Sequence, residues 1–292
     1  MSFGPEAPDR ARELARHYLE VSQPERALEA LGRAGAEDLA DPEVWALRGW
    51  ALVDLDRHEE AVQIARGALT RWPDDVDFLR LLAVAEAHRD HLAEAEAAVL
   101  AGLEAEPDDT HLLCTYADTL MRGAQLDKAG AVLDLAERAD PDDALVLRMR
   151  LNLAYLRAQD DEARVLAEEL LARDADDYQA QVVLGGLDAE KIRLASAERR
   201  FGAAIRADPS SQGVARSARM VRTMRSPLYW PLLPFERFGP GPTWLVAIAL
   251  IFGLRAAGLE TAATVATVVW IALCVYSWTV GPWLQRKVRS TW

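Results

Sequence analysis

Small and apolar side chains recur along the chain with a period of 34 residues, and a proline followed by two carboxylates marks each period. The tripeptide Pro-Asp-Asp begins at Pro73, Pro107 and Pro141. One period later Asp176 and Asp177 occur without the proline, and Pro209 closes the series. A strict period without insertions predicts stacked copies of one structural unit.

Three positions of the period, the eighth, twentieth and twenty-seventh, carry small side chains in at least five of six copies. The twentieth position is always alanine: Ala27, Ala61, Ala95, Ala129, Ala163 and Ala197. Small residues at these places let two antiparallel helices approach closely, while larger apolar side chains fill the space around them. The pattern predicts a helical hairpin in each period and therefore an all-α fold.

This arrangement resembles the tetratricopeptide repeat family over about residues 8 to 211. The best copies carry Trp45, Gly49, Ala61, Ala68 and Pro73 in the second repeat, and Leu184, Gly185, Ala197, Phe201, Ala204 and Pro209 in the sixth. Leu151 and Leu170 in the fifth copy stand where small residues are usual. The resemblance implies a solenoid of six repeats, in which each hairpin covers the apolar face of its neighbour.

The paired carboxylates that mark each period allow two interpretations. Paired acids can bind calcium or act as general acid and base. We favour helix capping, because an Asp before a helix accepts hydrogen bonds from its first free amides and faces the positive end of its dipole.

The resemblance also implies a concave groove lined by the first helix of each repeat, where a protein or peptide partner binds. The groove positions carried over to this chain are Arg12, Arg16, Trp50, Arg80, Val84, His88, Cys114, Met121, Arg122, Arg148, Asn152 and Tyr155. We expect its arginines to pair with carboxylates of an extended or helical peptide, with Trp50, Met121 and Tyr155 as apolar anchors. The alternative is that these arginines are solvated or pair within the chain.

The charge distribution separates the chain into two parts. The net charge is −13, composed of −20 over residues 1–211 and +7 over residues 212–292. An acidic repeat region argues against nucleic-acid binding, which needs clustered Lys and Arg. The chain has 30 Arg and 3 Lys, which suggests a GC-rich bacterial genome.

The sequence contains no pattern typical of an enzyme, so we expect neither catalysis nor a cofactor. Two distant cysteines exclude a disulfide framework and a Cys-rich zinc site. His88 and His91 flank a predicted turn and have no third ligand, so no metal site is expected. His58 stands at a position where the tetratricopeptide repeat family often has an aromatic residue, so its ring is expected to pack against neighbouring side chains. A phosphate loop, nucleophile elbow and His-Glu-x-x-His helix are absent from the sequence.

Residues 212–242 form a predicted basic helix followed by a linker rich in proline and aromatic residues. Val214, Ala218 and Val221 share one side of the helix, which would cap the repeat stack. The opposite side carries Arg216, Arg219 and Arg222, which could contact anionic lipid head groups. A capping helix with solvated arginines is the equal alternative.

Residues 243–292 are predicted to form a transmembrane helical hairpin with a basic tail. Residues 261–284 lack charges and are long enough to cross a bilayer. Residues 243–259 are a weaker candidate for a membrane span, because they contain Arg255. This residue lies near the end of the segment, where its guanidinium must extend to the lipid head groups. The alternative is one span preceded by a re-entrant segment over residues 243–254.

The positive residues lie mainly on one side of this hairpin, which predicts that the repeats and the C-terminus face the cytoplasm of a bacterial inner membrane. The charged residues 1–16 do not resemble a signal peptide, in agreement with a cytoplasmic start. The tryptophans expected at the membrane interface are Trp230, Trp244 and Trp283.

The sequence thus predicts three regions: a repeat solenoid over residues 1–211, a basic helix and linker over 212–242, and a membrane hairpin over 243–292. Together they predict a membrane-anchored adaptor that recruits protein partners, such as those of a secretion, injection or envelope-assembly machine. The rival is a membrane effector whose hairpins oligomerise into a pore. Small residues at Thr261, Ala262, Ala263, Ala266 and Thr267 would permit such homo-oligomer packing.

Overall fold

The computed structural model describes residues 7–32, 41–209, 211–225 and 239–289, and the side chains of all of these except 7–10, 240 and 277–289. The described secondary structure is entirely helical. The chain divides into two compact units, Met1–Leu166 and Ala167–Trp292.

Twelve helices follow the 34-residue period, and odd-numbered members are the first helices of the repeats. In the first unit they are α1 (Ala7–Glu20), α2 (Pro24–Leu31), α3 (Pro42–Asp54), α4 (His58–Leu69), α5 (Val76–His88), α6 (Leu92–Ala105), α7 (Thr110–Arg122), α8 (Leu126–Ala139) and α9 (Ala144–Leu156). The unit boundary lies within α10 (Asp160–Arg173), and the second unit continues with α11 (Tyr178–Glu190) and α12 (Leu194–Ala207). Three further helices follow among the described residues: α13 (Gln212–Arg225), α14 (Pro240–Ala256) and α15 (Glu260–Arg289).

An aspartate caps the first helix of each repeat from the second to the sixth. Each side chain accepts a backbone N–H from the first turn, and the capping residues are Asp41, Asp75, Asp109, Asp143 and Asp177. These bonds satisfy amides that have no partner within the helix. The capping interpretation of the carboxylate pairs is confirmed.

The turn between the two helices of each repeat contains a residue in the left-handed conformation. These residues have φ between 54° and 61° and again lie 34 apart: Ser22, Asp56, Asp90, Ala124, Ala158 and Ile192. The amide of the next residue bonds to a carbonyl five positions earlier, as in Gln125 N–H to Leu120 O at 2.9 Å. This Schellman-type geometry satisfies the last carbonyls of the first helix and reverses the chain.

The alanines at the twentieth position are all fully buried, as the helical-hairpin prediction requires. The two helices of a repeat contact each other in α1–α2, α3–α4, α5–α6, α7–α8 and α11–α12. Leu151 and Leu170, which replace small residues in the fifth repeat, are also buried. The larger side chains are accommodated without loss of the helical pattern.

In the second unit, α13 packs on the sixth repeat through its apolar side. Val214 and Val221 are buried together with Ala197, Phe201 and Ala204. Glu198 of α12 accepts hydrogen bonds from Arg222 Nε at 3.1 Å and from an Arg225 terminal nitrogen at 2.6 Å. Arg222 and Arg225 thus attach α13 to α12, whereas the lipid contact of Arg222 stays a prediction.

Helices α14 and α15 form the predicted hairpin, with a turn at 257–259 in which Gly258 has φ 72°. Trp244 and Trp270 meet edge to face, with ring centroids 5.5 Å apart. Helix α15 also contacts α13. Within the described part of the chain, no helix combines the length and apolar character needed to cross a membrane, so the transmembrane nature predicted for this hairpin is not supported.

Candidate functional site

The first helices of successive repeats form a continuous row in the first unit, because α1 contacts α3, α3 contacts α5, α5 contacts α7 and α7 contacts α9. We call the exposed face of this row the groove. The predicted partner-binding residues of the first five repeats all belong to these five helices.

The centre of the groove is a shallow depression of about 130 Å³ between α5, α7 and α9. Its lining is mainly apolar and includes Val84, Ala87, Thr115, Asp118, Leu145 and Met149. Cys114 also borders the depression, and burial raises the pKa of its thiol to about 12. Cys114 is therefore protonated at physiological pH and contributes apolar surface rather than nucleophilic chemistry.

Acidic partners within the chain are described for the predicted groove arginines Arg12, Arg16, Arg80 and Arg122. Arg12 binds Asp41 at 2.7 Å and Arg16 binds Glu43. Arg80 binds Asp77 at 3.0 Å and lies over the Trp50 ring, 4.8 Å from its centroid. Arg122 binds Asp118 at 2.8 Å. The alternative of intramolecular pairing is thus what the structure shows for these four arginines.

The remaining predicted groove residues differ in exposure. Arg148 and Asn152 are half-buried on α9, and Tyr155 is 39% exposed near its end. Met121 is only 5% exposed and belongs to the core between α7, α8 and α9. The prediction of Met121 as an apolar anchor is therefore wrong, because this side chain already packs within the protein.

Two histidines and an arginine from three repeats meet at the edge of the groove. The rings of His58 and His88 have centroids 4.6 Å apart, and a terminal nitrogen of Arg122 lies 3.3 Å from His88 Nε2. Burial, followed by the charges of Arg122 and His58, lowers the pKa of His88. The sequence predicts that His88 and Arg122 line the groove, but it does not predict that they meet His58. The spacing of His88 and Arg122 by one period is the signal that could have indicated their contact.

His88 and His91 have different partners in the structure. His91 Nδ1 lies 2.9 Å from the buried carboxylate of Glu86, whereas His88 stacks on His58. Among the described residues, no cluster of three or more His, Cys, Asp or Glu side chains is arranged to hold a metal ion.

Comparison with known proteins shows which family the repeats resemble. Residues 52–113 match the family model described as tetratricopeptide repeat. A thermophilic TPR protein from Thermus thermophilus is 19% identical, with a TM-score of 0.57 over 62% of this chain and 98% of the other. These comparisons support the resemblance of the repeats to the tetratricopeptide repeat family.

Two larger assemblies share the tetratricopeptide repeat fold with this chain. The Cut9–Hcn1 hetero-tetramer of the APC/C gives a TM-score of 0.60 at 12% identity, over 74% of this chain and 43% of the other. The human IFIT1 dimer with m7Gppp-AAAA gives 0.55 at 15% identity, over 72% of this chain and 54% of the other. At these identities the likeness concerns the fold alone. A comparison with curated proteins finds no match.

Outside the tetratricopeptide repeats, the predicted membrane-interface residues lie on α13 to α15. Arg216 and Arg219 are exposed on α13, Trp244 is exposed near the start of α14, and Arg255 is exposed near its end. Trp230 lies outside the described residues, as does the side chain of Trp283. An open apolar cleft of about 600 Å³ lies between the two hairpin helices and is lined by residues such as Leu250, Ala262, Val265 and Val269.

Proposed function

We propose that this protein is a non-enzymatic scaffold that binds a segment of a protein partner in its groove and holds it at a lipid surface through the α14–α15 hairpin. Tetratricopeptide repeats imply a protein-interaction scaffold. The observation that carries the groove assignment is the apolar depression between α5, α7 and α9, whose lining includes Asp118, the partner of Arg122. Apolar surface beside charged groups suits a peptide with an apolar side chain and neighbouring polar groups.

The paired arginines refine this proposal. Because Arg12, Arg16, Arg80 and Arg122 already bind acids of the chain, a partner carboxylate must compete with Asp41, Glu43, Asp77 or Asp118. Such competition lowers the gain from each new ion pair. We therefore assign most of the binding free energy to the apolar depression and assign selectivity to the arginines.

The lipid tether rests on the surface of the hairpin. Leu245 and Val246 are 69% and 70% exposed, and Phe252, Val265 and Val268 are similarly open. A surface of this kind is stabilised by contact with lipid or with another apolar surface. A cytoplasmic location at a bacterial inner membrane is part of the same proposal, supported by the exposed Arg216 and Arg219 on the neighbouring α13.

A tether changes binding without adding contacts. Confinement to a surface raises the effective concentration of the groove for partners that lie at that surface. The same chain could thus organise a larger assembly from individually weak contacts.

Crosslinking and affinity capture from native membranes test the proposal. The groove variant is Val84→Glu with Met149→Glu, which places two charges in the depression. The matched control is Leu100→Glu with Leu135→Glu, two exposed leucines on α6 and α8. We expect the wild type and the control to capture the same partner and the groove variant to lose it. Equal capture by all three folded proteins would contradict the groove assignment.

A further inference from the structure

The hairpin of α14 and α15 does not enclose a core of its own. Among the hairpin side chains that the structure describes, only Ala263 is buried. Twelve large apolar side chains of the described hairpin are 42% to 70% exposed, which gives an apolar surface on the order of 1,000 Å² and exceeds the largest patch usual on a monomer. A surface of this size is stabilised by a second apolar surface.

One side of the hairpin is concave, because the open cleft of about 600 Å³ lies there. We call this side the cleft face, and it carries Leu250, Ala262, Ala266, Val269 and Leu273. None of the described residues that line the cleft is charged. A charged segment would find no opposite charge in the cleft, so the occupant that fits it is apolar.

The two charged residues of the hairpin turn lie on the other side. Arg255 follows Leu250 by five residues, and Glu260 precedes Ala262 by two. At about 100° per residue, both are turned by at least about 140° from these cleft residues. A two-fold interface sets one surface against its own copy, so a charge near the axis would meet a like charge. Two cleft faces meet without this repulsion.

The cleft side of α15 has the side-chain spacing of a helix-packing surface. Ala262, Ala266, Val269 and Leu273 are separated by four, three and four positions, and all line the cleft. With this spacing, side chains of one helix fit into the spaces between those of another. An acyl chain has no side chains to fill such spaces. The cleft face therefore fits a helix better than it fits a lipid tail.

A second copy of the chain supplies a helix with this same spacing and an uncharged face. Two hairpins together contribute four helices, and four helices enclose a core in a helical bundle. A stable dimer buries about 800 Å² on each partner, which the exposed apolar surface of the hairpin can provide. Two-fold pairing is also the commonest symmetry of protein oligomers.

We propose that two copies of this protein associate through their cleft faces, so that the two hairpins form a four-helix bundle. Val265 and Val268 near the outer edge of α15 and Ile271 on the opposite side remain available to lipid. The dimer carries two grooves, and a partner with two binding segments therefore gains affinity without any new contact. The inference goes beyond the scaffold function, because the dimer requires neither a partner nor lipid.

Sedimentation equilibrium of the full chain in dodecyl maltoside, under density-matched conditions, measures the association. The test variant is Ala262→Glu on the cleft face, and the matched control is Thr264→Glu, two residues along the same helix and turned away from the cleft. Both positions are exposed in one copy, so neither carboxylate disturbs the folded chain, and circular dichroism verifies this.

We expect the wild type and Thr264→Glu to form dimers with similar dissociation constants. Ala262→Glu should raise the dissociation constant at least about tenfold, because the bundle would remove water from its carboxylate. A monomeric wild type at all protein concentrations would overturn the proposal and leave the cleft to lipid or detergent. Equal dimerisation of Ala262→Glu and Thr264→Glu would place the interface elsewhere and would overturn it as well.

Disulfide crosslinking in vesicles of phosphatidylglycerol and phosphatidylethanolamine locates the interface. Single cysteines are introduced in a Cys274→Ala background, in which the buried Cys114 is the remaining native cysteine. The cleft-face variants are Ala262→Cys, Ala266→Cys and Val269→Cys, and the controls are Thr264→Cys, Val268→Cys and Ile271→Cys.

We expect oxidation to produce a covalent dimer for at least one cleft-face position and for none of the controls. Crosslinks at control positions alone, or ladders larger than a dimer at both sets, would contradict the closed bundle. Loss of partner capture has no bearing on these measurements. A dimer that captures no partner would leave this inference intact while the scaffold function fails, and a monomer that captures a partner would do the reverse.

Discussion

Gly49 of α3 lies against Leu81 of α5 so closely that a Cβ atom on Gly49 would be 2.2 Å from Leu81 Cδ2. Leu81 is fully buried, so its side chain cannot move without disturbing the contact between the second and third repeats. This contact explains the glycine at the eighth position of the second repeat, because a side chain of the third repeat fills the space.

The first prediction is that Gly49→Ala destabilises the protein. Overpacking costs about 1–3 kcal/mol, against about 1 kcal/mol gained from the higher helix propensity of alanine. The control is Gly202→Ala within α12, where a Cβ would meet only the end of Arg206 at 4.0 Å. We expect thermal denaturation to show a lower melting temperature for Gly49→Ala and a slightly higher one for Gly202→Ala. Equal changes would contradict the role of the Leu81 contact.

The second prediction concerns the left-handed turn residue Ala124, which has φ 55° and is exposed. Glycine adopts this conformation without the Cβ clash, so Ala124→Gly should stabilise the protein by about 1 kcal/mol. Ala131→Gly, an exposed position within α8, should instead destabilise it by about 0.5–1 kcal/mol. Chemical denaturation measures the change in the free energy of unfolding for each variant. If both variants were destabilised, the turn at Ala124 would not be strained.

The regular part of the fold could be predicted because its physical causes are local and repeated. Alanine at the twentieth position and aspartate before each first helix act within one hairpin, and the 34-residue period displays them several times. The left-handed turn residues could not be found in this way. They are Ser, Asp, Ala and Ile in different repeats, so the Schellman geometry rather than a glycine enforces the conformation.

The candidate site was less predictable, because side-chain pairing depends on the packing of separate repeats. Arg222 was placed on a free surface, yet Glu198 lies within reach once α13 docks. Met121 occupies a groove position but turns into the core. The sequence indicated which helices line the groove, while partners within the chain decided which side chains remain open.

The third prediction follows from the attachment of α13. Hydrogen bonds from Arg225 and Arg222 lower the pKa of Glu198 below its ordinary value of 4.5. A carboxylate with a lowered folded pKa stabilises the fold above its unfolded pKa, and this contribution is lost as the pH falls through the folded pKa. Glu198→Gln should therefore lower the melting temperature at pH 7, and the difference from wild type should shrink below pH 4.5.

Exposed Glu190→Gln on α11 is the control for this pH series and should leave the melting temperature nearly unchanged. Amide hydrogen exchange over residues 212–225 provides the local measurement, since loss of the Glu198 bonds should loosen α13. A pH-independent difference between Glu198→Gln and wild type would indicate that the effect is not electrostatic.

The fourth prediction is that Cys114 resists alkylation in the folded protein. Its pKa of about 12 leaves about one thiol in ten thousand ionised at pH 8, about a thousandfold less than for an ordinary cysteine. N-ethylmaleimide should label Cys114 slowly in the native protein and rapidly in urea, as measured by mass spectrometry of its peptide. Rapid native labelling would mean that the floor of the groove is open to solvent.

The last prediction separates the hairpin from other exposed apolar surface. Val265 on α15 and Val165 on α10 are similarly exposed, at 62% and 65%. One turn further along its helix Val265 is followed by the exposed Val268 and Val269, whereas Val165 is followed by the exposed Glu168 and Glu169. An isolated apolar side chain needs no partner, whereas a contiguous apolar surface does. If the hairpin contacts lipid, Val265→Glu should weaken flotation of the full chain with vesicles of phosphatidylglycerol and phosphatidylethanolamine, because a carboxylate loses its hydration there. Val165→Glu introduces the same charge at the same exposure and should float as the wild type does. Equal loss in both variants would point to net charge, and equal retention would remove the hairpin from the proposed tether.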